Sequence, residues 1–295
     1  MSPYLALVIA NVIWGAGLPI FKHAFTNIPP FTLAYIRFFF AAMIFLPFVS
    51  FKDIHKIQMR DWLYLLLGSF FNIFINISFL FIGLTMAPSI NAAVIGASGP
   101  VLLFILSILF LKERPQKHVL VGMLISLVGA SFIILLPYLL SSNRAAASLE
   151  GNVLYIVATL GAVLGPLFIK RVVNRISPYT VIFFGFLFSS LLFAPFMWRE
   201  LQSFQFAQIN QAGWMGIIYG VFGSSAAAYF LQAYALSKID AQETGVFSYL
   251  NPVATVLVAI PLLMEYPDIF FFAGSILVFT GILISEKRIR FTRGS

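Results

Sequence analysis

The polar residues with the most regular spacing in this chain follow a helical period. Thr244, Ser248, Asn251 and Thr255 recur at intervals of four, three and four residues. Residues three and four apart lie on the same face of a helix. A polar stripe on an otherwise apolar helix must face another helix or a water-filled cavity. The spacing therefore predicts a helix face that binds a polar solute or packs against a neighbour.

Other apolar segments carry shorter polar stripes, and both roles stay open for each residue. Serine and threonine often join helices in membranes, at ~0.6 kcal/mol per hydrogen bond. Packing is the more usual role for a single serine or threonine. Large amides and phenols need more partners than one helix backbone offers, so binding and packing have about equal weight for Asn72, Asn76, Tyr229, Gln232 and Asn251. The residues that we predict to bind a substrate are Asn11, Trp14, Asn72, Asn76, Asn91, Ser98, Tyr155, Ser225, Tyr229, Gln232, Ser248 and Asn251.

Arg37 is the one full charge well inside an apolar segment. It lies about six residues, or ~9 Å, from the nearer end of its helix. It could attract an anionic group such as a carboxylate, brace a gate, or snorkel to the surface.

The acidic residues fall at or near helix ends. Glu113, Glu243 and Glu265 are predicted to pair with loop cations or helix N-termini at gates.

Pro100 and Pro252 remove backbone donors within apolar segments, so we predict bending points or static kinks there.

Catalytic and metal-binding patterns are missing from the sequence. There is no cysteine, and the three histidines at positions 23, 55 and 118 have no metal-ligand spacing. No apolar segment carries paired carboxylates. An intramembrane enzyme, which would need such groups, is therefore disfavoured, and no cofactor or metal is predicted.

The composition is that of a membrane protein. Of 295 residues, 61% are hydrophobic and 9% charged, whereas soluble domains are roughly 25% charged. A soluble enzyme, a disordered chain and a nucleic-acid-binding module are excluded. The first residues lack a basic region and a cleavage site, so we expect a membrane span there and not a removed signal.

The chain divides into ten apolar stretches, each near the ~20 residues that a spanning helix needs. They must be helices because the backbone has to satisfy its own hydrogen bonds in lipid. The predicted fold is all-α and polytopic, with spans at 3–21, 31–51, 62–83, 87–111, 118–140, 150–169, 178–198, 212–236, 241–264 and 268–286.

The basic residues orient these spans. Fourteen of the 18 lysines and arginines fall on the side of the N-terminus. By the positive-inside rule that side is cytoplasmic, so both termini are expected in the cytoplasm, and the protein in a bacterial inner membrane. Orientation also accounts for the net charge of +8 without nucleic acid.

The sequence contains an internal repeat. At an offset of 148 residues, Gly17 meets Gly165 and Lys22 meets Lys170. At 152 residues, the matched pairs are Trp62 and Trp214, Gly68 and Gly220, Pro100 and Pro252, Glu113 and Glu265, Pro115 and Pro267, Gly122 and Gly274, and Gly129 and Gly281. We predict repeats at 1–141 and 149–287, followed by a basic cytoplasmic tail at 288–295. Because each repeat has five helices, the second enters the membrane inverted, as in many secondary transporters.

Several of these motifs resemble the EamA branch of the drug/metabolite transporter superfamily. They are Gly99-Pro100, the segment from Phe110 to Pro115 with its glutamate, the glycines Gly122 and Gly129, the opening Asn11 to Gly15, and Arg37. In the second copy, Glu265 and Pro267 are kept without the basic neighbours. The resemblance implies ten helices, cytoplasmic termini and transport of small metabolites, often export of amino acids or related compounds.

The leading hypothesis is a secondary transporter that moves an amino acid or a related small polar metabolite by alternating access. Nucleotide-type, lipid-linked and cationic drug-like substrates are the alternatives, although phosphates usually meet several arginines or lysines. A channel is disfavoured because no filter motif or charged ring is present. The expected partners are the substrate and the lipid bilayer. A proton as coupling ion, and a monomer or homodimer, stay open.

Overall fold

The computed structural model describes residues 1–49, 54, 55, 57–86, 92, 95, 96, 98–140, 149–173, 175–263 and 269–285. Regular structure within these ranges is helical. The predicted site residues Asn91 and Glu265 lie outside the described residues.

The helices are numbered here in chain order, and three of them change their winding along their length. The segments are α1 (Pro3–Ala24), α2 (Pro30–Phe45), α3 (Met59–Ser69, π-helical Phe70–Ile75 and Asn76–Met86), α4 (Gly99–Leu111), α5 (Lys117–Leu140), α6 (Leu149–Val173), α7 (Pro178–Glu200), α8 (Gln211–Ile218, π-helical Tyr219–Ala227 and Ala228–Leu236), α9 (Ala241–Val246, 3-10 Phe247–Tyr249 and Leu250–Leu263) and α10 (Ile269–Ser285).

Apolar length identifies many of these helices as membrane spans. Within the described ranges, seven helical stretches are long and apolar enough to cross a bilayer, and three further apolar helices are shorter. The shorter ones are Gly99–Leu111, Lys117–Gly129 and Phe272–Ser285. The chain is therefore a polytopic helical membrane protein.

The helices α1–α5 of the first half of the chain pack against the helices α6–α10 of the second half. Helix α2 packs along α7, and α5 packs along α10. Helix α1 lies against α8 and α9, whereas α6 lies against α3 and α4. The centre of the bundle is therefore formed by both halves together.

Glycines bring α5 and α10 into backbone contact. A Cβ on Gly122 would overlap the carbonyl oxygen of Gly281, and a Cβ on Gly129 would lie 2.6 Å from that of Gly274. Small residues of this kind let membrane helices approach closely.

The two π-helical segments, Phe70–Ile75 and Tyr219–Ala227, occupy equivalent places. Adding the offset of 152 residues to the first gives 222–227, which falls within the second. A π-helical turn leaves backbone groups out of the ordinary ladder and is frequent at functional sites.

Polar contacts tie the helix connections at each end of the bundle. Near the start of α3, Asp61 forms an ion pair with Arg175 of the α6–α7 turn. At the other end, the backbone N–H of Asn210 donates to Asn27 Oδ1 at 2.9 Å. Arg175 and Asn27 are 148 residues apart, which is the repeat offset. The α1–α2 turn and the α6–α7 turn are therefore equivalent, and each is held by a polar contact at its own end of the bundle.

Pro100 and Pro252 stand at equivalent breaks in their helices. Pro100 lies in the first turn of α4, and Pro252 follows the 3-10 turn of α9 by three residues. Each proline therefore lies at the beginning of a regular helical segment. The N–H that proline lacks would have no hydrogen-bond partner within the helix at such a position, so its loss costs little free energy.

Candidate functional site

A central cavity of about 260 Å³ opens between the two halves of the bundle. Its walls come from α1, α2, α3, α4, α6, α8 and α9. Binding sites near the middle of a membrane, between repeats, are typical of secondary transporters.

Most of the residues that the sequence predicted line this cavity. Those that do so are Trp14, Arg37, Asn72, Asn76, Pro100, Tyr155, Tyr229, Gln232, Ser248, Asn251 and Pro252. They belong to helices far apart in sequence, and the fold brings them to one place.

Arg37 is the one charged residue among the described residues of the cavity wall. Its side chain is 1% exposed, so it does not snorkel to the surface. Its Nε donates to Ser225 Oγ and its Nη2 donates to Ser224 Oγ, both at 2.9 Å. Within the described part of the chain, the buried Nη1 has no hydrogen-bond partner.

Aromatic rings cover the guanidinium of Arg37. Its Cζ lies 4.8 Å from the ring centre of Phe21 and 4.6 Å from that of Phe38. Contacts of this length between a cation and a ring are attractive, by about 2 kcal/mol or more when desolvated. The rings and serines together hold the guanidinium in one orientation.

The π-helical turn of α8 positions the serines that bind Arg37. Trp14 Nε1 of α1 donates to the backbone carbonyl of Ser224 at 3.0 Å. The hydroxyl of Tyr219 donates to the carbonyl of Ile13. These two bonds fix α1 against the π-helical turn, and with it the partners of Arg37.

The amides of α3 form another wall. Asn72 lies in the π-helical turn, and Asn76 Nδ2 donates to its carbonyl at 3.3 Å. A Cβ on Gly165 would lie 2.6 Å from Asn72 Cα, and one on Gly161 would lie 2.7 Å from the Phe71 carbonyl oxygen. The glycines of α6 therefore allow the close approach that places both amides at the cavity.

Helix α9 supplies a polar edge beside α1. A Cβ on Gly15 would lie 2.5 Å from the Asn251 carbonyl oxygen, and Thr255 Oγ1 donates to the Gly15 carbonyl at 2.7 Å. The buried atoms Asn251 Oδ1 and Tyr249 Oη have no hydrogen-bond partner among the described residues. Both residues line the cavity.

Aromatic side chains complete the cavity. Trp14 meets Tyr229 edge to face, with ring centres 5.2 Å apart. Tyr155 is 1% exposed, and its ring packs on Gly83, where a Cβ would lie 2.6 Å from it. Such a mixture of aromatic surface and a few polar groups is typical of small-molecule sites.

Three predicted substrate-binding residues lie outside the cavity lining. Asn11 is buried and donates to the Leu7 carbonyl at 2.8 Å. Ser225 contacts Arg37 instead of the cavity. Ser98, which immediately precedes α4, is exposed, and its hydroxyl donates to the Ile95 carbonyl at 2.7 Å.

Glu113 and Glu243 lie at the end of the bundle that carries the N-terminus. Glu113 Oε1 accepts the Ala241 N–H at the start of α9, at 3.0 Å. Glu243 accepts the Tyr4 hydroxyl at 3.0 Å and Gln116 Nε2 at 3.1 Å.

The same end holds a part-buried lysine. Lys170 Nζ donates to the carbonyls of Leu236, at 2.7 Å, and Ile239. The carboxylates of Glu113, Asp240 and Glu243 lie near enough to act on its charge. We call Tyr4, Glu113, Gln116, Lys170, Asp240 and Glu243 the latch cluster.

Sequence reasoning missed several lining residues. Phe21, Phe81, Ser224 and Tyr249 line the cavity but were not among the predicted site residues. The two phenylalanines had no signal that set them apart from the other phenylalanines, of which there are 34 in all. Ser224 could have been found through its neighbour Ser225, and Tyr249 through Ser248.

Comparison with known proteins agrees with this architecture. The model of the EamA-like transporter family matches residues 1–135 and again residues 149–286. An uncharacterized transporter of Bacillus subtilis, YetK, is 28% identical over 97% of this chain and 87% of its own length.

Two further similarities extend over most of the chain. An S-adenosylmethionine uptake transporter of Rickettsia conorii is 27% identical, over 90% of this chain and 87% of its own. A protein solved by crystallography has the same fold, with a TM-score of 0.78 over 97% of this chain and 98% of that chain, at 17% identity.

Proposed function

This chain belongs to the EamA-like transporter family, and on that premise we propose that it moves an amino acid or a related small polar metabolite across the membrane by alternating access. The observation that carries the proposal is the central cavity, to which both halves contribute polar side chains. The substrate binds there, between the halves.

Several features support two inverted five-helix repeats. The family model matches twice. The contact between Gly122 and Gly281 becomes that between Gly274 and Gly129 when the repeats are exchanged. The π-helical turns and the tied connections are likewise equivalent. Two bundles of this kind can exchange conformations, which gives states open to either side.

The latch cluster closes one end of the pathway in this proposal. It joins the N-terminus, the α4–α5 connection, the end of α6 and the start of α9 through hydrogen bonds. The charge asymmetry of the loops supports a cytoplasmic position for this end. The state described here is then closed toward the cytoplasm, and the latch must open when the transporter reorients.

The cavity favours a small substrate. Sites for drug-sized ligands have volumes of roughly 300–1,000 Å³, and this cavity has about 260 Å³. Amide, hydroxyl and aromatic groups suit a polar metabolite with an apolar part. The name of the Rickettsia relative makes S-adenosylmethionine, itself an amino-acid derivative, a second candidate. Nucleotide-type, lipid-linked and cationic drug-like substrates remain alternatives for the test.

A ligand screen followed by transport tests the proposal. Purified protein is heated with amino acids, S-adenosylmethionine, nucleosides, polyamines and quaternary amines, and each hit is tested for counterflow in proteoliposomes. We expect thermal stabilisation by amino acids or their derivatives, with saturable counterflow. Stabilisation by nucleosides or polyamines alone would contradict the substrate class, and non-saturable flux would contradict a carrier.

A further inference from the structure

We infer that Arg37 is the anchor for a substrate carboxylate, and that the cavity selects zwitterions and anions over net cations. The inference rests on the proposed transport function and names its substrate class. Its starting point is a fully buried guanidinium on the cavity wall with one nitrogen, Nη1, that has no partner in the described ranges.

The contacts of Arg37 leave its Nη1 without a hydrogen-bond partner in the described part of the chain. Ser224 and Ser225 occupy Nη2 and Nε, and Phe21 and Phe38 lie close to the guanidinium carbon. Because the other nitrogens are held, Nη1 is oriented before any ligand arrives. A pre-oriented donor binds with less loss of side-chain entropy.

The charge of Arg37 is not neutralised by its neighbours. Serine hydroxyls solvate a guanidinium but carry no negative charge. Among the described residues that line the cavity there is no aspartate or glutamate. A buried charge without a counterion is costly, and a carboxylate is the ordinary partner of a guanidinium. Binding an anionic group therefore stabilises the cavity as well as the ligand.

Helix α9 carries a hydrogen-bond acceptor that complements the donor on Arg37. The buried oxygen Oδ1 of Asn251 lacks a partner within the described structure and is an acceptor. An ammonium group can donate to it without a carboxylate nearby. An amino acid that places its carboxylate at Arg37 and its ammonium at Asn251 satisfies both groups and adds no net charge.

Net cations lack this balance. A decarboxylated amine brings a positive charge into a wall that already holds Arg37. S-Adenosylmethionine carries a sulfonium in addition to its amino-acid group, whereas S-adenosylhomocysteine lacks the extra charge. If Arg37 sets selectivity, the second compound binds more tightly than the first.

Matched ligands test the inference. Binding of phenylalanine, 3-phenylpropanoate and phenethylamine is measured with purified wild type, Arg37→Gln and Arg37→Lys, together with the S-adenosylhomocysteine and S-adenosylmethionine pair. The exposed Arg199→Gln is the control. Hydrogen bonds to charged groups correspond to roughly 10- to 100-fold in affinity.

The expected result has three parts. Wild type binds the two carboxylates at least about 10-fold more tightly than phenethylamine. Arg37→Gln loses this preference, Arg37→Lys keeps part of it, and Arg199→Gln is unchanged. Should Arg37→Gln fail to fold, the wild-type selectivity and Arg37→Lys decide.

Other results separate two kinds of failure. Saturable counterflow together with binding of phenethylamine that equals or exceeds that of the two carboxylates would overturn the role of Arg37. Full carboxylate affinity in folded Arg37→Gln would overturn it too. Neither result contradicts the proposed transport function. If wild type neither binds nor transports any of these ligands, the proposed amino-acid substrate class is contradicted, and so is the inference about Arg37.

Discussion

Gly122 of α5 lies with its backbone against the carbonyl oxygen of Gly281 of α10, so that a Cβ there would overlap it. Gly129 meets Gly274 in the same way, and the offset of 152 residues converts one pair into the other. The interface between α5 and α10 is therefore built from two equivalent contacts, each of which requires glycine.

We expect Gly122→Ala to destabilise the protein by about 1–3 kcal/mol, because the added methyl group forces two backbones apart. Gly129→Ala should have a similar effect. The midpoint of thermal unfolding in detergent measures it. Gly96→Ala is the matched control, because a Cβ there has no neighbour within 4 Å among the described residues. Equal midpoints for Gly122→Ala and Gly96→Ala would contradict the packing described.

Loss of the Lys170 ammonium should loosen the latch cluster. Lys170→Met removes its bonds to the Leu236 and Ile239 carbonyls, which are worth about 1.5–3 kcal/mol for a charged donor. The population open at this end should rise at least about 10-fold.

A single cysteine reports this opening, because the chain has no native cysteine. Ala162 of α6 lines the cavity. In an Ala162→Cys background, Lys170→Met should speed reaction with a membrane-impermeant thiol reagent added from the N-terminal side. Lys238→Met, which removes an exposed lysine nearby, should leave the rate unchanged. Equal rates in both variants would show that Lys170 does not hold this end closed.

Trp14 is expected to support the site through the π-helical turn of α8. Trp14→Phe removes the donor to the Ser224 carbonyl and leaves that carbonyl without it, at a cost of about 1–3 kcal/mol. Because Ser224 also binds Arg37, carboxylate affinity should fall with stability. Trp198→Phe, at a side chain 69% exposed, should change neither. Unaltered carboxylate affinity in Trp14→Phe would show that Trp14 does not support the binding site.

The sequence predicted the bounds of some described helices closely, because apolar length and proline mark them. The predicted span 178–198 corresponds to Pro178–Glu200, and 118–140 corresponds to Lys117–Leu140. The large amides and the phenol for which binding and packing had about equal weight, which are Asn72, Asn76, Tyr229, Gln232 and Asn251, all line the cavity. Their polarity in apolar helices was the signal.

Other features could not be predicted from one sequence. The π-helical turns interrupt a 3.6-residue period without a distinct composition. The partners of Arg37 lie 187 and 188 residues away, and serine is too common in membrane helices to identify them. Ser98 immediately precedes α4 and lies outside the cavity lining, and helical periodicity alone does not say which polar residues of a helix face reach a cavity.

Topology offers a further test of the repeat. The proposed arrangement of five spans per repeat predicts that residue 142 is on the opposite side of the membrane from both termini. A cysteine replacing Ser142 should react with an impermeant reagent from outside the cell, and one replacing Ser295 should not. Reaction of both from the same side would contradict the inverted arrangement.

Alternating access itself is tested most directly by locking the latch cluster. Gln116 and Glu243 are in contact, with Nε2 and Oε1 3.1 Å apart. Both are replaced by cysteine, and counterflow of the preferred amino acid is measured in proteoliposomes with and without a short, reducible thiol cross-linker. Each single-cysteine variant treated with the same reagent is the control. Cross-linking should abolish counterflow, and reduction should restore it. Full counterflow in the cross-linked protein would contradict a pathway that must open at this end.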